Sequence, residues 1–179
     1  MLKIILIAIP ILLVIFIIVV AMQPSSYRVT RSLAIAAPPG ALFPHMNDLK
    51  KWEMWNPWGK ADPNMKLTYG GSTSGVGASY SWAGNSEVGE GRATITESRP
   101  SVSVRYKMEF YKPMSATSEM EFTFKLQGSQ TAVTVTVTGD KDFITKAFCL
   151  FMSMDKMIGG KFERALAELK ATAESHARL

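Results

Sequence analysis

Val102-Ser103-Val104-Arg105-Tyr106-Lys107-Met108-Glu109-Phe110 alternates without a fault between apolar and polar side chains. Successive side chains of an extended strand point to opposite faces, so this stretch predicts a strand with one dry face and one wet face. The pattern returns twice downstream. Met120, Phe122, Phe124 and Leu126 stand opposite Glu119, Glu121, Thr123 and Lys125, and Val133, Val135 and Val137 stand opposite Thr134 and Thr136. One-sided strands at such short spacing predict an antiparallel sheet, over residues 65–138, that packs one face on another layer. Glycines at Gly70-Gly71, Gly75, Gly77, Gly84, Gly89 and Gly91 punctuate its earlier part and predict sharp curvature.

Working outward, Tyr27 to Ile35 alternates as a first strand, with Val29, Leu33 and Ile35 set against Arg28, Thr30 and Ser32. Pro38-Pro39 suits a helix start, and Leu42, Phe43, Met46 and Leu49 supply its apolar stripe. Pro44 would cost about 3 kcal/mol inside a helix, which predicts a start later than Pro39 or a bend at Pro44. From Asp142 to His176 the period becomes helical, with Ile144, Phe148, Phe151, Ile158, Phe162, Leu166, Leu169 and Ala173 on one face. Gly159-Gly160 in its middle predicts a kink. On the same stripe falls Asp155. A carboxylate aimed at the sheet needs donors or a cation, or else it becomes neutral. It either takes an internal hydrogen bond from a Trp, a Tyr or a backbone amide, or lies in a cavity and meets the polar end of a ligand.

The N-terminal run from Ile4 to Met22 is apolar or neutral throughout, and at helical rise it extends roughly 28 Å, close to a bilayer core. Pro10 is tolerated there. A single-pass anchor is the expectation, and a cleaved signal peptide ending at Val19-Val20-Ala21 is the alternative. Lys3 on one side and Arg28 and Arg31 on the other leave the orientation, and so the membrane face of the domain, open. Gln23-Pro24-Ser25-Ser26 is a short spacer, giving an anchor over 1–26 and a folded domain over 27–179 that sits close to the headgroups.

Composition narrows the function. The net charge of +5 is thinly spread, which argues against nucleic acid as a partner. The sole cysteine, Cys149, lies among Phe148, Leu150 and Phe151 and reads as a core thiol. His45 and His176 have no second ligand at a metal-binding spacing, so no metal is expected, and no cofactor fingerprint is present. The densest aromatic cluster is Trp52-Glu53-Met54-Trp55-Asn56-Pro57-Trp58. Its indoles either plug one end of the core or form the rim of a cavity mouth, and they also suit a membrane interface.

Strand, helix, several antiparallel strands and a long C-terminal helix make an α+β chain that resembles the helix-grip fold. The wording of Trp55-Asn56-Pro57-Trp58 with Asp62-Pro63-Asn64-Met65, of Gly75-Val76-Gly77 with Tyr80-Ser81-Trp82 and Gly84-Asn85, and of Met154-Asp155-Lys156-Met157-Ile158-Gly159 resembles the SRPBCC superfamily. More narrowly it resembles the bacterial polyketide cyclase/dehydrase or START-like lipid-transport members, many of which begin with an apolar anchor and so imply the inner membrane. The resemblance implies a curved sheet of about six to seven strands gripping the C-terminal helix, with a pocket between them. It supplies no catalytic residue.

The resulting expectation is a membrane-tethered site for a hydrophobic small molecule or lipid. From the sheet, Tyr80, Trp82, Tyr106, Met108 and Phe122 are its candidate ligand-binding residues. From the helix come Phe148, Phe151, Met152 and Asp155, and the candidate rim is Trp52, Trp55 and Trp58. Two alternatives stay open: a cyclase or dehydratase in which Asp155 or a tyrosine works as acid or base, and a scaffold for an unidentified envelope protein.

Overall fold

In the computed structural model, residues 2–176 are described, with side chains from Ile7 to Ser175. Met1, residues 177–179 and the side chains of residues 2–6 and of His176 lie outside the described part, and with them the corresponding ends of the expected anchor and domain, Lys3 and Ile4 included.

Seven antiparallel strands form one sheet. They are β1 (Ser26–Ile35), β2 (Lys66–Gly70), β3 (Ser79–Ala83), β4 (Glu90–Arg99), β5 (Ser103–Lys112), β6 (Ala116–Gln127) and β7 (Gln130–Asp140). Their order, β1-β7-β6-β5-β4-β3-β2, makes every neighbour consecutive except β1, which crosses to pair with β7. The alternation read from the sequence is the alternation of burial. Val104 and Tyr106, Met120, Phe122 and Phe124, and Val133, Val135 and Val137 are all buried on one face. Val102 and Leu126 are exposed, Val102 in the turn before β5 and Leu126 near the end of β6.

The helices are α1 (Leu2–Ala21), α2 (Pro39–Asn47), α3 (Trp58–Ala61), α4 (Phe143–Cys149) and α5 (Met154–His176), with a 3-10 helix over Leu49–Met54. The α2 helix begins at Pro39 after all, with Pro44 inside it. Leu42 and Met46 are buried beneath it, which offsets the missing backbone donor.

α5 lies along β1 and closes the core with Phe162, Ala165, Leu166, Leu169 and Ala173, spaced as the sequence predicts. Polar ties fix its far end. Lys170 Nζ donates to Ala34 O at 3.0 Å, and Glu174 Oε1 accepts from Ala36 N at 2.9 Å.

The expected single helix over 142–176 is two helices. Asp142 caps α4 by accepting from Thr145 N at 2.8 Å, and the chain then turns over Leu150–Ser153. Ser153 Oγ accepts from Lys156 N at 3.3 Å and so starts α5. The interruption therefore lies before Gly159-Gly160, which sit within the uninterrupted α5. Residues upstream of and within the turn lose the phase of the stripe, and Ile144, Phe148 and Phe151 are exposed.

Among the described residues no helix is long and apolar enough to cross a membrane. The described side chains of α1, Ile7 to Ala21, fall short of the ~20 residues a bilayer core requires, so the expected transmembrane span is not shown. The structure does show an apolar helix whose side chains from Ile11 to Val19 are all exposed, with Val20 alone buried.

Candidate functional site

A cavity of about 290 Å³ separates the sheet from the start of α5. A water occupies about 30 Å³ of liquid volume, so the two layers are not interlocked and the void is far larger than one or two waters. The floor is the dry face of the central and far strands, with Tyr80 and Trp82 of β3, Met108 and Phe110 of β5, and Met120 of β6. The roof is Met154, Ile158 and Phe162 of α5. One wall is the tryptophan segment, with Trp52, Asn56 and Trp58, and the opposite wall is Tyr27 of β1 with Ser118.

Two glycines shape the floor. Trp82 pairs across the ladder with Gly91, and a Cβ there would lie 2.4 Å from its ring. Tyr27 pairs with Gly139, where a Cβ would lie 2.8 Å from its ring. Each ring therefore lies down over a neighbouring strand and leaves the space above it open. Trp82 is held in place as Nε1 donates to Val88 O at 3.3 Å.

The tryptophan segment joins wall to core. Trp52 packs edge-on against Tyr80 at 5.5 Å and Tyr106 at 5.0 Å between centroids, and Trp58 packs edge-on against Phe162 at 5.5 Å. Asp62 behind it accepts from Asn64 N at 2.9 Å and Asn85 N at 2.7 Å, which ties the segment to the β3–β4 turn.

Of the residues named from sequence, Tyr80, Trp82, Met108, Trp52 and Trp58 line the cavity. Tyr106 and Phe122 do not. They are fully buried in the core beside it, where the Tyr106 hydroxyl donates to Met46 O at 2.7 Å. Trp55 is buried rather than at a rim, packed 5.9 Å from Phe122, with Nε1 donating to His45 O at 3.3 Å. Phe148, Phe151 and Met152 are exposed outside the cavity, because the turn at 150–153 rotates them off the α5 stripe.

Asp155 is also outside. It stands in the first turn of α5, its side chain 58 % exposed, and takes Arg31 Nη1 at 2.8 Å and Nη2 at 3.0 Å. Arg31 Nε also donates to Glu163 at 2.6 Å. The Arg31 hydrogen bond holds the Asp155 carboxyl below the usual carboxylate range, and the two carboxylates push the guanidinium further up. Both expected settings for Asp155, an internal hydrogen bond and a cavity ligand contact, give way to this surface clamp.

The remaining lining residues are not among those named from sequence, and the polar ones are Tyr27, Asn56 and Ser118. Asn56 sat inside the quoted tryptophan motif, and Tyr27 and Ser118 were visible as inward positions of their strands. The polar lining consists of these three side chains and Tyr80, beside the indoles of Trp52, Trp58 and Trp82. Burial pushes the Tyr80 hydroxyl well up, opposed by a hydrogen bond with Asn56. Burial likewise pushes Tyr27 up, opposed by Ser118. No Asp, Glu, His, Lys, Arg or Cys lines the cavity. The site can offer neutral hydrogen bonds and apolar contact. Among the described residues, no three His, Cys, Asp or Glu side chains gather as metal ligands.

The structure of the di-domain ARO/CYC StfQ from the steffimycin biosynthetic pathway is similar at 11% identity and a TM-score of 0.63, over 87% of this chain and 53% of that one. Protein MLL2253 from Mesorhizobium loti is similar at 15% identity and a TM-score of 0.60, over 83% of this chain and 98% of that one. Ara h 8.0201 is similar at 11% identity and a TM-score of 0.58, over 84% and 99%. At these identities the likeness is one of fold, a curved antiparallel sheet against a C-terminal helix. No curated protein matches the sequence. Residues 26–174, nearly all of the chain outside α1, match the model of one family, and the chain belongs to it: Polyketide cyclase / dehydrase and lipid transport.

Proposed function

We propose that this protein binds a neutral, largely apolar small molecule in the cavity under α5, and that α1 tethers it to a membrane. The observation that carries the reading is the lining, apolar nearly throughout, whose polar side chains are Asn56, Tyr80, Tyr27 and Ser118 beside the indoles of Trp52, Trp58 and Trp82, with no charged side chain among the described residues. A buried charge without a partner is costly, so a carboxylate or phosphate guest would find no compensation there. A hydroxyl or carbonyl would. The volume lies at the small end of ligand pockets, which suits a compact ring system or short chain rather than a two-chain lipid.

Support for the tether is the character of α1, apolar on all sides and exposed over most of its described length. A helix of that kind belongs in a protein core or a bilayer, and the domain leaves it outside its core.

The family name also covers cyclases and dehydrases. Acid–base work in this cavity would fall to Tyr27 or Tyr80, whose hydroxyls are both pushed up by burial and have no basic side chain beside them. Binding is therefore the better-supported reading.

The test uses the full chain in lipid nanodiscs and 1-aminoanthracene, a neutral apolar fluorophore. Trp52, Trp58 and Trp82 line the cavity, so bound probe quenches their emission by energy transfer. Saturable quenching, lost in Ile158→Trp where the new ring fills the space, is the expected result. No saturable component above that of empty nanodiscs would sink the proposal.

A further inference from the structure

The apolar side of α4 faces away from the core. Ile144, Phe148 and Phe151 follow at spacings of four and three and share one face of the helix and its succeeding turn, with Phe151 at 84 % exposure. Met152 beside them is exposed as well. Single exposed apolar residues are ordinary, but a group of this size marks a surface that is covered in use.

Three observations identify the cover. α4 packs against α1, and Lys141 N donates to Ser25 O at 2.7 Å, which fixes the start of α4 beside the end of the apolar helix. Next, α1 is exposed on every side along Ile11–Val19. A protein partner covers one side of a helix, whereas lipid covers all of them. Last, the patch is next along the chain to the cavity lining. Met152 lies two residues from Met154, and exposed Met114 lies two residues from Ala116, while both Met154 and Ala116 line the cavity.

We propose that the α4 face, Ile144, Phe148, Phe151 and Met152, docks into the interfacial layer of a lipid bilayer, so that the cavity mouth opens onto lipid rather than water. Nearby charges balance, with Lys141, Lys146 and Lys156 against Asp140, Asp142 and Asp155, and a zwitterionic surface is sufficient. The docking rests on the exposed face together with the tether through α1 proposed above. Only its consequence, exchange of the guest directly with the bilayer, rests on the cavity reading above.

Cys149, half-buried on α4 and the sole cysteine, gives the experiment its reporter. The full chain, labelled there with an environment-sensitive fluorophore, is reconstituted at low density in phosphatidylcholine vesicles. Quenching by phosphatidylcholine carrying a nitroxide near its headgroup, together with protection from iodide, is expected. Quenching by iodide and not by the nitroxide lipid overturns the proposal. So does shielding that grows with protein density, which indicates a second copy instead. Phe148→Ser with Phe151→Ser should abolish the shielding at an unchanged melting temperature. Should the pair melt early, Phe151→Ser alone, at the most exposed position, must still weaken the shielding. The two readings fail separately. A chain that is shielded yet takes up no 1-aminoanthracene loses the cavity and keeps the docking, and one that binds the probe without shielding loses the docking alone.

Discussion

A Cβ on Gly159 would stand 2.1 Å from Arg31 Nη2, because the guanidinium crosses α5 at that residue. It grips Asp155 one turn before and Glu163 one turn after, so positions i−4, i and i+4 of a single helix face hold one arginine from β1. Gly159 is thus a notch for a side chain within the uninterrupted α5.

The neighbouring glycine provides the contrast. A Cβ on Gly160 meets nothing within 4 Å. Gly160→Ala should therefore show the full helical gain of about 0.5–1 kcal/mol. Gly159→Ala has the same intrinsic gain but expels Arg31, and it should raise the melting temperature less or lower it. Thermal unfolding of the two variants side by side checks this, and equal stabilisation would refute the notch.

The clamp has an acid signature. Asp155 titrates below its ordinary value in the folded chain because Arg31 donates to it. A depressed carboxylate contributes stability that is present above the unfolded value, near 3.8, and is lost as the pH falls through the lower folded value. Asp155→Asn should lower the melting temperature at neutral pH and flatten its fall between about pH 5 and pH 2. Gly159→Ala should flatten the same limb and Gly160→Ala should not. The α4 cap Asp142 is also depressed, by Thr145, and remains in every variant, so the difference between curves is the readout.

The clamp also shows how far the sequence could be read. The sheet and the α5 stripe were legible because each rests on many residues in one period, and a single exception such as Val102 does not disturb the pattern. Asp155 is legible as an anomaly on the helix, and its partner stands on the facing strand. Arg31 occupies an inward position of β1, in phase with Val29 and Leu33, and is the matching anomaly on the facing strand. Two opposite charges breaking two facing apolar stripes predict each other. The turn at 150–153 was missed because its signal is one capping serine, Ser153, inside an otherwise continuous helical period. A helix continued through this turn places Phe148, Phe151 and Met152 on the α5 stripe, whereas the turn leaves them exposed.

That error is measurable. Phe122 is 1 % exposed and Phe151 84 % exposed, although both were placed at the same site. Phe122→Ala should destabilise by about 3–5 kcal/mol, the cost of a large core truncation. Phe151→Ala should stay within about 0.5 kcal/mol in detergent solution, as an exposed position does. Chemical denaturation of both variants decides it. A large loss at Phe151 would mean that α4 covers the core after all.

The cavity floor makes a sharper demand, because its two glycines differ in what they touch. The nearest atoms that a Cβ on Gly139 would meet all belong to the Tyr27 side chain, at 2.8 Å, and a side chain can swing away. Gly139→Ala should push Tyr27 into the cavity, weakening 1-aminoanthracene binding with a small change in melting temperature. A Cβ on Gly91 would meet the Trp82 ring at 2.4 Å and also Glu109 O at 2.5 Å, and backbone cannot swing. Gly91→Ala should weaken the probe and destabilise the fold together, by about 1–3 kcal/mol for an overpacked position. Titration with the probe beside thermal melts separates the two. If Gly139→Ala left probe affinity untouched, Tyr27 would not be a wall of the binding space, and the guest would have to lie wholly between Trp52, Tyr80 and α5.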